Sequence, residues 1–149
     1  MTILFVCTGN ACRSPFAEQL FQRLAPPGVT AVSAGTHAAA GGTASWLSIV
    51  AARAHGLDLG VHRRQPLDAA MLAGADRIYG FDRSHITYIA EHHPEAAPRA
   101  ALLGEIPGGP GGEIPDPMGG SQEDVDLCYR MIDHACRALV VDLARLGPG

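Results

Sequence analysis

The chain has 149 residues, of which 47% are hydrophobic and 17% are charged, and its formal net charge is −4. This balance predicts a single folded domain over residues 1–149 and excludes a disordered chain. The negative charge, with no evident basic face, argues against a nucleic-acid partner. The apolar run at the N-terminus has no basic leader and is too short for a membrane span or a signal peptide, so we expect a cytoplasmic protein without membrane contact. The pattern leaves the oligomeric state open.

The first half of the chain alternates between strand and helix patterns. The stretch Thr2–Val6 predicts a buried strand. Ser14 suits the N-cap of the first helix, and Pro15 suits its first position, because a backbone N–H there would have no partner within the helix. The run Pro26-Pro27-Gly28 ends that helix. Next come a predicted strand at Val29–Ser33, a helix over Thr43–His55 that ends at Gly56, an irregular stretch over Leu57–Leu67 and a short helix at Asp68–Ala73.

The second half continues the alternation and adds one long loop. Gly104–Gly120 is dense in glycine and proline, and too few residues follow it for a second domain, so we interpret it as a functional surface loop. The final helix carries an apolar residue at every third or fourth position along one stripe. We predict strands at Arg77–Phe81 and Ala100–Leu103 and helices over Arg83–His92 and Gln122–Leu146.

This alternation of strands and helices predicts the fold class. It favours a single α/β domain with a four-stranded parallel sheet and helices on both faces. In such folds, ligands bind beyond the carboxyl ends of the strands. The loop between the first strand and the first helix, Cys7–Ser14, lies at that edge and becomes the candidate site.

The Cys7–Ser14 loop, with the sequence C-T-G-N-A-C-R-S, combines a nucleophile with groups that bind an anion. Inward N–H groups of a tight turn, the positive end of the following helix dipole and the Arg13 guanidinium all favour a thiolate. The same donors suit the three oxygens of a phosphoryl group, which a guanidinium binds bidentately. The Ser14 hydroxyl can donate a hydrogen bond to the sulfur. We therefore predict a phosphate-binding loop that contains its own nucleophile.

The spacing of residues in this loop also allows other interpretations. Cys7 can be an ordinary core thiol, with Arg13 a surface charge. A metal site made by Cys7, Cys12 and a histidine is disfavoured, because Arg13 would repel the cation and no second pair of residues has ligand spacing. A nucleotide loop of the G-x-x-x-x-G-K-[ST] kind is excluded, since the chain has no lysine.

The four cysteines are expected to be free thiols in a cytoplasmic chain. Cys128 and Cys136 are separated by roughly 12 Å along the axis of the predicted final helix. A disulfide joins Cα atoms that lie no more than about 7 Å apart. We therefore expect both residues to be core thiols.

Attack by a thiolate on a phosphate monoester needs an acid for the leaving oxygen and then a base for water. Asp116 lies between Pro115 and Pro117, which restrict the local backbone to extended forms. From sequence alone, an aspartate on a plain surface turn is an equal alternative. The position of Asp116 in the most irregular loop, beside the final helix, favours it as the acid.

Four segments together resemble one known family. In chain order they are Val6–Pro15 (V-C-T-G-N-A-C-R-S-P), Ser33–Thr36 (S-A-G-T), Phe81–His85 (F-D-R-S-H) and Asp116–Gly120 (D-P-M-G-G). They resemble the low-molecular-weight protein tyrosine phosphatases over essentially the whole chain. The short last segment also resembles the protein arginine phosphatase branch of that family.

The resemblance implies a role for each matching residue. Cys7 would be the nucleophile that forms a cysteinyl-phosphate, Arg13 would bind the phosphoryl group, and Asp116 would act as acid and then as base. Cys12 would form a reversible disulfide with Cys7 under oxidation. The family uses no metal or cofactor, so the implied partners are a phosphorylated protein and the product inorganic phosphate. The implied substrate-binding residues are Thr8, Gly9, Asn10, Ala11, Cys12, Ser14, His37 and Met118.

The substrate prediction depends on the pocket walls. Tyrosine-specific members usually carry an aromatic residue after S-A-G-T and another after D-P, where this chain has His37–Ala40 and Met118. Ala11 matches neither the larger aliphatic residue of the tyrosine phosphatases nor the threonine of the arginine phosphatases. We predict phosphotyrosine on proteins as the first substrate class, phosphoarginine as the second and a small phosphate monoester as the third.

Two rival functions differ from the phosphatase. Arsenate reductases of this fold add a distal cysteine pair, and this chain has no cysteine between Cys12 and Cys128. The rival from another class is a non-catalytic phosphate-binding module, which the sequence leaves open.

The remaining histidines and the tryptophan are expected to be structural or surface residues. His37 is the exception, because it lies on the loop expected to form a pocket wall. The residues assigned no role in the site are His55, His62, His85, His92, His93, His134 and Trp46.

Overall fold

Four parallel strands form the centre of the fold. The protein is described by a computed structural model, which covers residues 1–146. The strands lie in the order β2-β1-β3-β4, and each neighbouring pair is parallel. The predicted four-stranded parallel sheet is therefore confirmed. The strands are β1 (Thr2–Cys7), β2 (Thr30–Gly35), β3 (Arg77–Gly80) and β4 (Ala100–Leu102).

Five α-helices and three short 3₁₀ turns connect the strands in residues 1–146. None of these helices is both long enough and apolar enough to cross a membrane. The 3₁₀ turns lie at Leu59–Val61, Ala97–Arg99 and Leu103–Glu105. The helices are α1 (Arg13–Leu24), α2 (Trp46–Arg53), α3 (Ala69–Gly74), α4 (Arg83–His92) and α5 (Gln122–Arg145).

The core lies on both faces of the sheet, because alternate side chains of β1 point in opposite directions. Ile3 and Phe5 belong to a large apolar cluster with α1, α2 and α5. Leu4 and Val6 belong to a smaller cluster that includes α3 and α4. All four side chains are fully buried. Helices on both faces, as predicted, follow from this two-sided burial.

The start of α1 differs from the prediction. The helix begins at Arg13 with Cys12 in the N-cap position, whereas Ser14 was predicted as the N-cap and Pro15 as the first residue. The hydroxyl of Ser14 makes no capping hydrogen bond, because it contacts the Cys7 sulfur instead. A functional contact has replaced the capping role that the residue type suggests.

The second helix is also shorter than predicted. It begins at Trp46 instead of Thr43, because Thr43 pairs with Arg63 in an isolated β-bridge and the N–H of Ser45 donates to the Ala11 carbonyl. Trp46 is 65% exposed, and the Arg53 guanidinium of the same helix lies 5.6 Å from the centroid of its ring, as expected for a structural or surface residue. The other boundaries shift by one or two residues, and the irregular stretch Leu57–Leu67 contains one of the 3₁₀ turns.

Candidate active site

The Cys7–Ser14 loop joins the carboxyl end of β1 to the first turn of α1. Cys7 is 3% exposed, and its Sγ lies 2.9 Å from the Oγ of Ser14. The Nδ2 of Asn10 donates to that same Oγ at 2.8 Å, so the hydroxyl proton of Ser14 is available to the sulfur or to the Ala34 carbonyl at 3.4 Å. The sulfur therefore has a hydroxyl donor beside it, at the start of the loop that leads into α1.

Asn10 holds the loop in its backbone conformation. It is the only non-glycine residue in residues 1–146 with a positive φ, 51°, and its side chain is fully buried. Besides Ser14, its Nδ2 donates to the Ser33 Oγ at 3.0 Å, and its Oδ1 accepts from the Gln65 N–H at 2.9 Å. His62 lies against the same residue, with Nε2 2.8 Å from the Asn10 carbonyl oxygen. Burial lowers the pKa of His62.

Arg13 is almost completely buried, and its guanidinium is fixed by groups distant in sequence. One of its terminal nitrogens, Nη1, donates to Asp82 Oδ2 at 2.8 Å and to the Ile114 carbonyl at 3.0 Å. The other, Nη2, lies 3.6 Å from Asp116 Oδ2. Both protons of Nη1 are therefore used by the protein, while Nη2 faces the loop that carries Asp116.

The ion pair between Arg13 and Asp82 sets the charge of both groups. Burial alone raises the pKa of Asp82, but the hydrogen bonds from Arg13 and Ser84 outweigh it and bring the pKa down to about 2. Burial, the largest single effect, lowers the pKa of Arg13, but the hydrogen bond to Asp82 and the nearby charges of Cys7, Asp116 and Asp82 together raise it by more. At neutral pH the loop therefore presents a fixed, fully charged guanidinium.

Asp116 approaches this guanidinium from the long loop that precedes α5. Its side chain is 42% exposed, and its Oδ1 accepts from the backbone N–H of Met118 at 3.0 Å. It lines an open groove of about 570 Å³, together with Met118, Leu127 and Met131. The carboxyl is therefore open to solvent and close to the Arg13 guanidinium.

A pair of rings flanks the loop on the side of Thr8. The backbone N–H of His37 donates to the Thr8 carbonyl at 2.8 Å, and the exposed imidazole meets the ring of Tyr88 with centroids 5.4 Å apart at 68°. Tyr88 lies on α4, one turn beyond His85, whose Nε2 is 3.1 Å from the Thr8 Oγ1. This edge-to-face geometry is a favoured arrangement of two rings.

The arrangement suits an anion. Cys7 shares its loop with the Arg13 guanidinium and with the start of α1, and guanidinium groups and the N–H groups of a helix start bind phosphoryl oxygens. In residues 1–146 no group of three or more His, Cys, Asp or Glu side chains is placed to hold a metal ion. The site thus combines a buried sulfur, a fixed guanidinium and a half-exposed carboxyl.

Comparison with known proteins agrees with this geometry. The sequence model of the family described as low molecular weight phosphotyrosine protein phosphatase matches residues 2–147. The chain belongs to that family. The resemblance drawn from the four sequence segments is thereby confirmed.

Relatives of this low-molecular-weight phosphatase include enzymes of both substrate branches. The chain is 37% identical to the protein-arginine-phosphatase of Geobacillus stearothermophilus, over 95% of its own length and 93% of that protein. It is 34% identical to the low molecular weight protein-tyrosine-phosphatase Etp of Escherichia coli K12, over 97% and 95% of the two chains. Its fold matches the structure of the YwlE arginine phosphatase from Geobacillus stearothermophilus with a TM-score of 0.91 and 32% identity, covering 97% of this chain and 94% of that one.

The phosphatase fold brings most of the predicted site residues together. Cys7 and Ser14 are in contact, Arg13 and Asp116 approach each other, and His37 is tied to Thr8. Gly9, Ala11 and Cys12 lie in the same loop, and Met118 lines the groove beside Asp116 with 52% exposure.

Sequence reasoning missed the groups that support the loop from outside it. His85 and His62, expected to be structural or surface residues, lie against the site, since one contacts Thr8 and Arg13 and the other contacts Asn10. Asp82 and His85 stand in the segment F-D-R-S-H, which the resemblance had marked without giving its residues a role. That segment was the feature of the sequence from which their contacts with the site could have been predicted.

The other cysteines are enclosed thiols. Burial raises the pKa of Cys12 to about 11. Burial also raises the pKa values of Cys128 and Cys136, which lie on α5, as predicted for core thiols. All four cysteines are free.

Proposed function

We propose that this member of the family is a cysteine-dependent phosphatase that hydrolyses phosphotyrosine on proteins. One observation carries the proposal. The buried Cys7 sulfur, 2.9 Å from a serine hydroxyl, shares a loop with Arg13, whose guanidinium is fixed by Asp82 at 2.8 Å. A nucleophile and a rigid anion receptor in one loop are what thiolate attack on a bound phosphoryl group requires.

The reaction proceeds in two steps. The Cys7 thiolate attacks phosphorus, the S–P bond forms, and the bond to the tyrosyl oxygen breaks while Asp116 gives that oxygen a proton. Asp116, now a carboxylate, then takes a proton from a water molecule that attacks the cysteinyl-phosphate. The S–P bond breaks, the Ser14 hydroxyl stabilises the leaving thiolate, and inorganic phosphate is released. Arg13 binds the phosphoryl oxygens in both steps, without a metal ion or cofactor.

Support for phosphotyrosine comes from the rings beside the loop. The sequence lacks the aromatic residues that usually line this pocket, but His37 and Tyr88 form an edge-to-face pair next to Thr8. An aromatic contact of this type contributes about 0.5–1.5 kcal/mol beyond its buried area. Tyr88, which is paired with His37, would offer the phosphotyrosine ring an aromatic partner that Met118 does not.

Phosphoarginine on proteins is the second candidate. Ala11, a small residue in the phosphate-binding loop, leaves room beside the phosphoryl group, and a protein-arginine-phosphatase is among the relatives of this chain. A small phosphate monoester is the third. A comparison of kcat/KM on peptides that differ only in phosphotyrosine or phosphoarginine separates the first two. We expect phosphotyrosine to be preferred, and a preference of about tenfold or more for phosphoarginine, worth 1.4 kcal/mol, would reverse the order.

The non-catalytic alternative is tested with Cys7→Ser and an aryl phosphate. We expect turnover by the parent protein, release of one phosphate per phenol, and no turnover by the variant. Rapid quenching of the parent with acid should trap phosphorus on Cys7. A parent without turnover that binds a phosphopeptide as well as Cys7→Ser does is instead a phosphate-binding module.

A further inference from the structure

His85 is a buried side chain of α4 that touches the site without being part of the loop. It is 1% exposed, and its Nδ1 lies 3.0 Å from the backbone nitrogen of Phe81 and 3.2 Å from that of Asp82. A backbone N–H only donates, so Nδ1 must be the unprotonated, accepting nitrogen. The ring is thereby held in one tautomer, neutral and with its proton on Nε2.

The proton on Nε2 has one acceptor within reach. The Oγ1 of Thr8 lies 3.1 Å away, and the Nη2 of Arg13 lies 3.4 Å away. A guanidinium has no acceptor atom, so the contact with Arg13 places two donors side by side and forms no hydrogen bond. The hydrogen bond of His85 therefore goes to Thr8, the residue that directly follows Cys7.

This tautomer has a consequence for each neighbour. Thr8 accepts from His85, so its own hydroxyl proton is left to donate elsewhere. Arg13 has both protons of Nη1 engaged by Asp82 and Ile114, and His85 offers Nη2 no acceptor. The Asp116 carboxyl faces Nη2 at 3.6 Å, which is longer than a hydrogen bond, so the Nη2 protons stay available for an anion.

The charges around His85 keep it in this state. The ionisable groups that face it are Arg13, Asp82, Asp116 and Glu113. Burial first, and then the charge of Arg13, lower the pKa of His85 to about 4 against the opposing carboxylates. At neutral pH the ring is neutral, as the two backbone donors to Nδ1 require.

We propose that His85 is a positioning residue for phosphoryl transfer. The Nε2–H of His85 orients the Thr8 hydroxyl. Because Nε2 is protonated, it accepts no hydrogen bond from Arg13, and the Nη2 donors of Arg13 stay available to the phosphoryl group. It touches neither the reacting sulfur nor the phosphorus and acts through Thr8 and Arg13. This role rests on the proposed phosphatase activity. It adds to the site a residue that belongs neither to the Cys7–Ser14 loop nor to the loop that carries Asp116.

The test is a double-substitution cycle on the kinetics of an aryl phosphate. His85→Asn keeps an oxygen that can accept from the backbone N–H groups at the start of α4, but its amide is too short to reach Thr8. Thr8→Val removes the hydroxyl and keeps the shape. We expect each single variant to lose about tenfold in kcat/KM, mostly in kcat, as loss of an oriented hydrogen bond in the transition state predicts. The double variant should lose little more than either single variant.

Controls separate positioning from folding. His134→Asn makes the same substitution at an exposed position of α5, where His134 contacts the Gly108 carbonyl, and should keep parent kinetics. In a Thr8→Ser background, which restores a hydroxyl, adding His85→Asn should again lower kcat/KM about tenfold. The melting temperature of each variant shows whether it is folded under the assay conditions.

Three results would overturn the proposal. They are parent-like kinetics for His85→Asn, additive losses in the double variant, and a loss in His85→Asn that only follows its unfolded fraction. Binding of inorganic phosphate, measured by calorimetry, supplies a readout without turnover. If the parent hydrolyses nothing but His85→Asn still binds phosphate more weakly than the parent, the proposed function fails while the positioning role stands. If the parent turns over and the cycle is additive, only the positioning role fails.

Discussion

The Nη1 of Arg13 lies 2.8 Å from the Oδ2 of Asp82, although 69 positions separate the two residues in the chain. The pair joins the phosphate-binding loop to the start of α4, where Asp82 also accepts from the Ser84 N–H as the helix cap. Asp82 therefore orients the guanidinium and compensates its charge in a place that water barely reaches.

Replacing Asp82 with asparagine should separate the charge of this residue from its capping role. Asp82→Asn keeps an acceptor for the α4 cap but removes the negative charge beside Arg13. Since the carboxylate is partly exposed, we expect a loss of about 1–2 kcal/mol in the free energy of unfolding and about tenfold in kcat/KM. The measurements are urea unfolding and aryl phosphate hydrolysis. Asp68→Asn, at the cap of α3 where Met71 is the donor, is the matched control. Equal effects of the two substitutions would remove the special role of the Arg13 pair.

Asp116 is expected to show its role through the leaving group. Its carboxyl is half-exposed and lies 3.6 Å from the Arg13 Nη2, within reach of the oxygen of a bound substrate. Asp116→Asn should slow hydrolysis of aryl phosphates with poor leaving groups by about 10²–10³, because those oxygens need a proton in the transition state. Good leaving groups should be affected far less in the first step.

The comparison needs a series of substituted phenyl phosphates and a control in the same loop. Glu113→Gln neutralises another exposed carboxyl, which accepts from the Arg83 N–H, and should leave the leaving-group dependence as in the parent. If Asp116→Asn slows every substrate by the same factor, Asp116 is not the proton donor.

The strain and the hydrogen bonds of Asn10 can be measured separately. Asn10→Ala and Asn10→Gly both remove the contacts to Ser14, Ser33 and Gln65, but only alanine keeps a Cβ at φ 51°. Left-handed backbone disfavours a residue with a Cβ by about 1–2 kcal/mol. We therefore expect both variants to be less stable than the parent and Asn10→Gly to be more stable than Asn10→Ala, by urea unfolding. The reverse order would show that the loop relaxes when the side chain is lost.

The alternation of patterns was enough to predict the sheet, the two covered faces and the bounds of α4, because these depend on local periodicity and on helix-ending residues. Cys7 and Arg13 could be named because a cysteine and an arginine at this short spacing, between a strand and a helix, are an unusual combination. Asp116 could be named because it lies between two prolines. These features depend on residues that are close together in the chain, so a single sequence is enough to identify them.

The support of the loop could not be predicted in the same way. His85 contacts Thr8 across 77 positions, and the Ile114 carbonyl accepts from Arg13 across 101. Such contacts depend on how the fold brings the carboxyl ends of β1 and β3 side by side. The spacing of residues along the chain does not predict this arrangement. Ser14 was misassigned as the N-cap for a related reason, since its hydroxyl has a tertiary partner in Cys7.

The proposed redox role of Cys12 can be tested with peroxide. Oxidation of the Cys7 thiolate by peroxide gives a sulfenic acid and hydroxide, and attack by Cys12 then forms the disulfide and releases water. A reductant such as dithiothreitol restores both thiols. Cys12 is buried with a pKa raised to about 11, so the disulfide should form more slowly than with an activated thiol.

We expect peroxide to inactivate the parent in a form that dithiothreitol restores. Cys12→Ser, under prolonged peroxide, should lose activity irreversibly as Cys7 passes to higher oxidation states. Mass spectrometry should find a Cys7–Cys12 disulfide in the parent, and Cys136→Ser is the matched control, since Cys136 lies in the core. Equal recovery of Cys12→Ser and the parent would remove Cys12 from this role.

The buried His85 should also make stability depend on pH. Its pKa in the folded protein is about 4, below its ordinary value near 6.5, so the unfolded chain binds more protons between these two values. The stability that His85 contributes is therefore complete above about pH 6.5 and is lost as the pH falls toward 4, by at most on the order of 3 kcal/mol. Asp82, with a pKa of about 2, adds a further loss only below about pH 4.

Urea unfolding between pH 7 and pH 4.5 measures how steeply the free energy of unfolding changes with pH, which is the slope compared below. We expect His85→Asn to flatten it and His92→Asn to leave it unchanged, and an unaltered slope in His85→Asn would mean that another group is responsible.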